Sequence, residues 1–193
     1  RAFAVRAELN ASAKNRIARW AADMVQDGEA ILLDGSTTVF HMVPHLLESR
    51  NLTVITNSIE TAAALVKNPS HTVILIGGEL SPSGTHVRGH LAEQNLRQLH
   101  VRTAFVSCSG FTLQEGLMQT DIQEARLKER MIRSADRVVA LIDSSKFGKR
   151  DLTSFAAAGE VTHIFTDGDL ALPHIESLRA AGVAFTVCGE ETV

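Results

Sequence analysis

Short unbroken apolar stretches recur along this chain, and the segments between them place their apolar residues three or four apart. Ala30-Ile31-Leu32-Leu33 and Val73-Ile74-Leu75-Ile76 are stretches of the first kind. Strands buried on both faces read as continuous apolar runs, whereas helices lying on a sheet show the three-to-four spacing. The pattern predicts strands at 30–33, 52–56, 72–76, 103–107, 137–142, 162–166 and 184–187. It predicts helices at 39–47, 59–67, 91–99, 122–135 and 172–181 between them. Ahead of the first strand, Ser12 can cap a helix over 13–26, with Ile17, Ala21, Met24 and Val25 on one face and Asp27-Gly28 ending it. Asn68-Pro69 and Gly77-Gly78 mark breaks. Arg1 to Asn10 has no clear period and reads as an arm or linker.

Strands alternating with helices across short connections predict an α/β fold of three layers, a mostly parallel sheet flanked by helices with right-handed crossovers. Ligands of such sheets bind beyond the carboxyl ends of the strands. That rule selects the segments 34–38, 57–58, 77–89, 107–121, 143–150 and 167–168.

Composition narrows the class. The 193 residues are 45% hydrophobic, enough for one large domain with a sizeable core. Eight Phe, one Trp and no Tyr leave that core to aliphatic side chains. A net charge of −3 lacks the basic balance of a free-standing nucleic-acid binder. Cys108 and Cys188 are far apart, with no CxxC and no histidine at metal spacing, and read as reduced core thiols of a cytoplasmic protein. No apolar run approaches the ~20 residues of a membrane span, and no signal peptide opens the sequence.

The chemistry concentrates in the first post-strand loop. Asp34-Gly35-Ser36-Thr37-Thr38 follows a strand and opens a helical pattern, so backbone N–H groups and hydroxyls converge on one point. That is a receptor for phosphate or carboxylate, although a helix cap alone needs one such hydroxyl. Lys146, in the loop after 137–142, is a mobile cation suited to phosphate or an ordinary solvated lysine. Glu124 and Lys128 stand four apart, as in a common helical ion pair, while Glu124 in a first turn near the strand ends can accept sugar hydroxyls. Arg88 can fork onto an anion or brace its glycine-rich loop. Gly84 and Gly89 have P-loop spacing, but His90-Leu91 replaces the required Lys-Ser/Thr, and no GxGxxG follows a strand. His41/His45 and His86/His90 are spaced i, i+4 without an HExxH pattern, so no metal and no cofactor is expected. No compelling acid–base pair or nucleophile elbow appears.

The order of these pieces resembles the C-terminal effector-sensing domain of DeoR-family transcriptional regulators. The resemblance runs through Arg6-Ala7-Glu8-Leu9-Asn10, Asp34 to Thr38, Thr56-Asn57, Gly77-Gly78-Glu79-Leu80, Ser109-Gly110, Glu115-Gly116-Leu117, Glu124-Ala125 and Asp143-Ser144-Ser145-Lys146-Phe147-Gly148. Members commonly read Asp-Ser-Gly-Thr-Thr at the first loop, where this sequence has Gly35 before Ser36. The resemblance implies a Rossmann-like fold shared with ribose-5-phosphate isomerases, sugar-phosphate deaminases and coenzyme A transferases. It implies a non-enzymatic sensor of a phosphorylated sugar that modulates DNA binding, with a sugar-phosphate isomerase or deaminase as the alternative. Carried over, Ser36, Thr37, Thr38 and Lys146 bind phosphate, and Asp34 and Gly35 belong to the same loop. Asn57, Arg88 and Glu124 complete the sugar pocket, while Gly77, Gly78 and Gly110 permit close backbone approach. It further implies an arm at 1–12 leading from a helix-turn-helix domain that is absent, a sensor at 13–193, and assembly as a homodimer or homotetramer.

Overall fold

A computed structural model describes residues 3–189. Among them, seven parallel strands form the main sheet: β1 (Ala30–Leu33), β2 (Thr53–Thr56), β3 (Thr72–Leu75), β6 (Val101–Val106), β9 (Ala135–Leu141), β11 (His163–Asp167) and β12 (Phe185–Cys188). Their order across the sheet is β12-β11-β9-β6-β1-β2-β3. The order reverses direction after β1, and β1 and β6 lie side by side in the middle. The loops after these two strands therefore meet above the sheet, where the two halves of the winding diverge.

Along β1, Ile31 and Leu33 face one layer and Leu32 the other, so the uninterrupted apolar run is buried twice over. The first layer holds α2 (Ala11–Ala22), α3 (Thr37–Phe40) and α4 (Val43–Leu46), with Leu65 of α5 (Ile59–Leu65). The opposite layer holds α6 (His90–Leu96), α7 (Ile122–Arg133) and α8 (Leu172–Ala180). No helix of the described residues is long and apolar enough to cross a membrane.

Three local differences from the pattern bear on function. The expected helix over 39–47 is two short ones, because Pro44 has no N–H to give and forces a restart near Met42. Residues without a clear period near the amino terminus form α1 (Phe3–Glu8), which Phe3 fastens edge-on to Phe40 at 5.4 Å. Asn10, in the left-handed region at φ 57°, joins α1 to α2, so the second helix starts before Ser12 rather than after it.

Two small sheets escaped the pattern. β4 (Glu79–Leu80) and β5 (Val87–Arg88) form a hairpin, and β7 (Gly110–Thr112), β8 (Gly116–Gln119) and β10 (Thr153–Ala156) form an antiparallel sheet in the order β10-β8-β7. The latter packs against α7 through Phe111, Leu117 and Phe155. Gly116, at φ 74°, lets β10 approach so closely that a Cβ would sit 1.9 Å from the Ala156 carbonyl oxygen. Gly116→Ala is expected to destabilise the chain by about 3 kcal/mol or more in urea denaturation, combining backbone strain with overpacking. A loss under about 1 kcal/mol would mean that the turn relaxes freely.

Candidate functional site

Asp34 caps β1 and is fully buried. Its Oδ1 accepts from the Ser36 amide at 2.9 Å, and its Oδ2 accepts from the Ser107 amide at 2.8 Å and lies 2.9 Å from Lys128 Nζ. One carboxylate thus ties together the loop after β1, the loop after β6 and α7. Lys128 also donates to the Ser107 carbonyl at 2.7 Å. Burial alone would lower the Lys128 ammonium, but the Asp34 and Glu124 carboxylates outweigh it and hold its pKa above the ordinary value. The sequence pairs Lys128 with Glu124 four residues back; its hydrogen-bonded partner lies across the fold.

Above this hub, at the carboxyl ends of β1 and β6, opens a cavity of about 290 Å³. Ser36, Thr37 and Thr38 line it together with Glu124 and Lys146, the five drawn from three separate segments of the chain. Ser36 also caps α3, its Oγ accepting from the Val39 amide at 3.2 Å. The amides of Thr37 and Thr38 open the helix and have no partner within it. Four residues make a weak helix dipole, so cations must supply most of the attraction for an anion.

Those cations are Lys146, Lys14 and Arg6. Lys14 sits on the otherwise apolar stripe of α2 with Ile17, Ala18 and Ala21 and is nearly as buried. It donates to Thr37 Oγ1 at 3.1 Å and to the Arg6 carbonyl. Burial lowers its pKa to about 8; Asp143 opposes that shift, and Lys146 and Arg6 add to it.

The remaining residues singled out in the sequence do not line the cavity. Gly35 is where the β4–β5 hairpin presses closest: a Cβ there would lie 3.0 Å from His86 Cβ and 3.3 Å from Asn57 Oδ1. That contact gives a reason for glycine preceding serine in this loop. Asn57 donates from Nδ2 to the Val87 carbonyl at 2.9 Å and accepts from the Val87 amide, fixing β5 to the end of β2. Gly77 donates to Asn95 Oδ1, and Gly78, at φ 155°, leaves room for the Arg88 carbonyl 2.8 Å from where its Cβ would be. Arg88 pairs with Asp121 and lies 3.7 Å from Glu79, bracing the start of α7. Gly110 admits the Lys149 carbonyl, 2.5 Å from its missing Cβ, and so seats the Lys146 loop.

Pattern reading gave no ligand role to Arg6, Leu9 or Lys14 and read Lys128 only as a helical ion-pair partner. Ser107, Cys108, Ser109, Gln119 and Thr120 fell inside the selected segment 107–121 without individual roles. All lie on the cavity wall. Lys14 was detectable as a lysine at core spacing; Arg6 needed the packing of α1, and Ser109, Gln119 and Thr120 needed the small antiparallel sheet. Burial pushes the Cys108 thiol up to about 12, which leaves it unreactive at neutral pH. His86 stands behind Glu124, its Nε2 3.8 Å from the carboxylate. Burial depresses its pKa; Glu124 opposes this, and Lys128, Arg6 and Arg88 add to it. Among the described residues no three His, Cys, Asp or Glu side chains converge at metal-ligating geometry, and His41 instead bonds the Ala7 carbonyl at 3.0 Å.

The model of the DeoR C-terminal sensor domain matches residues 9–168. The chain belongs to that family. The sensor domain is 36% identical over 184 residues to the uncharacterized HTH-type transcriptional regulator YulB of Bacillus subtilis, covering 95% of this chain and 71% of the relative. It is 29% identical to a putative aga operon transcriptional repressor of Escherichia coli O157:H7, covering 94% and 68%. The glycerol-3-phosphate regulon repressor of E. coli K12 is 26% identical, covering 91% and 69%. Among solved structures, ribose 5-phosphate isomerase A from Methanocaldococcus jannaschii matches with a TM-score of 0.53 at 17% identity, over 73% of this chain and 56% of that one. eIF2B delta from Chaetomium thermophilum matches with a TM-score of 0.54 at 17% identity, over 80% and 55%. The sensor domain therefore spans about half the length of these solved chains, and at such identities they share its fold alone.

Proposed function

We propose that the chain is the effector-sensing part of a transcriptional repressor of sugar catabolism, and that it binds a phosphorylated sugar without converting it. The observation carrying this reading is the convergence of Lys14, Lys146 and Arg6 on the hydroxyls and first-turn amides of 36–38 in one cavity. Three cations with hydroxyls and amides suit a phosphate dianion, and Asp143, 3.9 Å from Lys146 Nζ, offsets only one of the three charges. Glu124 then accepts hydroxyls of the sugar. Asp34, Gly35, Asn57, Gly77, Gly78, Arg88 and Gly110 hold these groups from behind. The names of the relatives support a role in carbohydrate regulation.

DNA contact falls to a separate domain on the amino-terminal side, and α1 is the link. Arg6 and Leu9 line the cavity, and Lys14 bonds the Arg6 carbonyl, so ligand and α1 share contacts. A ligand shifts DNA affinity only through contacts that differ between two arrangements of the protein.

Calorimetric titration tests the phosphate subsite. Lys146→Ala is expected to weaken a bound sugar phosphate by about 10–100-fold, the usual effect of losing a charge-assisted hydrogen bond, and to leave the unphosphorylated sugar unaffected. Equal losses for both would contradict the assignment. Turnover of ribose 5-phosphate by the chain would replace the sensor reading with an enzymatic one.

A further inference from the structure

Another part of the cavity wall is built by Ser109, Gln119, Thr120 and Glu124. Ser109 Oγ and Thr120 Oγ1 both lie against Asp151 Oδ2, at 2.5 and 2.9 Å. Asp151 itself does not line the cavity. Its partial burial raises its pKa, but hydrogen bonds from Ser109, Thr120 and the Leu152 amide outweigh that and hold it below the ordinary value. A carboxylate has no proton to give, so both hydroxyls must donate to it. A hydroxyl has one proton, and each of these is left only lone pairs for the cavity. Ser109 Oγ has the Met118 carbonyl as its other neighbour at 3.1 Å, which is again an acceptor.

Glu124 has the same polarity, and Gln119 adds an unpaired acceptor beside its amide donors. Gln119 is buried, and its Oε1 takes no hydrogen bond from the described residues. Glu124 brings a carboxylate. Lys128 also lines the cavity, but Asp34 and the Ser107 carbonyl take two of its three N–H groups and Glu124 offsets its charge. A ligand group meeting this wall finds acceptors in need of donors.

We propose that Asp151 is a positioning residue that turns the hydroxyls of Ser109 and Thr120 into acceptors, and that the resulting wall discriminates effectors by their hydrogen-bond donors. Monophosphorylated polyols and amino polyols satisfy it. Phosphorylated acids and bisphosphates meet Glu124 and unshared lone pairs with no donor to offer, and are rejected by like charge and by desolvation without compensation. This selectivity rests on the phosphate reading above, since the phosphate must occupy the cationic part of the cavity.

Calorimetry with inorganic phosphate and three length-matched pairs tests it: glycerol 3-phosphate against 3-phosphoglycerate, ribitol 5-phosphate against 5-phosphoribonate, and sorbitol 6-phosphate against 6-phosphogluconate. Where a pair binds more tightly than inorganic phosphate, the polyol should be favoured by about tenfold or more. Asp151→Ala should reduce that ratio by about tenfold while leaving inorganic phosphate affinity unchanged. Thr120→Val, which removes one acceptor and one hydrogen bond to Asp151 but keeps the carboxylate and Ser109, should weaken the polyol and spare the acid. A polyol-to-acid ratio near one in the unmodified chain, an unchanged ratio in both variants, or no pair exceeding inorganic phosphate overturns the proposal alone. Failure of inorganic phosphate itself to bind overturns the phosphate reading and this proposal with it.

Discussion

Replacing Asp34 by alanine is expected to destabilise the chain by about 3–5 kcal/mol, the range for breaking a buried ion pair by removing one partner. Lys128 would be left charged, at 3% exposure, with only the Ser107 carbonyl as a hydrogen-bond acceptor. The Ser36 and Ser107 amides would lose their acceptor as well. For a chain of this length such a loss corresponds to a fall of about 6–20 °C in the melting temperature. The double replacement Asp34→Asn with Lys128→Met should be milder than the single change, because it removes the orphaned charge and keeps an amide oxygen for one of the two loop amides. A denaturant series on the double variant and its two constituents, Asp34→Asn and Lys128→Met, gives the coupling. A single-variant loss under about 1 kcal/mol would show that water reaches Lys128 and that Asp34 is not the hub.

The second large effect is a dependence of phosphate affinity on pH, set by Lys14. In the ligand-free chain its pKa is lowered to about 8, chiefly by burial. Between about 8 and the ordinary value of 10.5 the unfolded chain carries a proton on Lys14 that the folded chain has released. Stability without ligand therefore rises with pH across that window, and below it the charged ammonium is a burden on the fold. A phosphate dianion reverses the balance, because it favours the charged form. Affinity should be full between about pH 7, where the phosphate is a dianion, and about pH 8, and decline as pH rises through that upper value. Lys14→Met should weaken phosphate binding by about tenfold or more at pH 7 and abolish the decline. Titrations at successive pH values check both statements. A flat profile in the unmodified chain would remove Lys14 from the phosphate subsite.

Both predictions turn on residues that reading along the sequence valued differently from the fold. Asp34 was legible as part of a phosphate-compatible loop, and in the structure its carboxylate faces inward to Lys128 and two amides. Lys128 was legible as a helical partner of Glu124, because spacing of four residues is a local fact. Its contact with Asp34 joins α7 to the end of β1, far apart in the sequence, and leaves no local trace. Lys14 lies at the same spacing as Ile17, Ala18 and Ala21, so its burial was implied by the helix, but its neighbours Thr37 and Arg6 were not.

The seven main strands and most of the helices could be read directly, since a parallel sheet buried on both faces imposes uninterrupted apolar runs. The small sheet of β7, β8 and β10 could not. Its strands are short, and β10 pairs with β8 across a long excursion through α7 and β9. It is held together by Gly116, by Phe111 and Phe155, and by hydroxyls converging on Asp151, none of which has a periodicity.

By itself, then, the sequence determined the layered α/β architecture, the edge at which a ligand would sit and the chemical character of the loop at 34–38. Each of these follows from patterns within a few residues of one another. Tertiary structure alone decided which cations join that loop, why Gly35 precedes Ser36, and which way the protons of Ser109 and Thr120 point. Charges and hydroxyls act over a few ångströms of space, and folding brings together groups that the chain holds far apart.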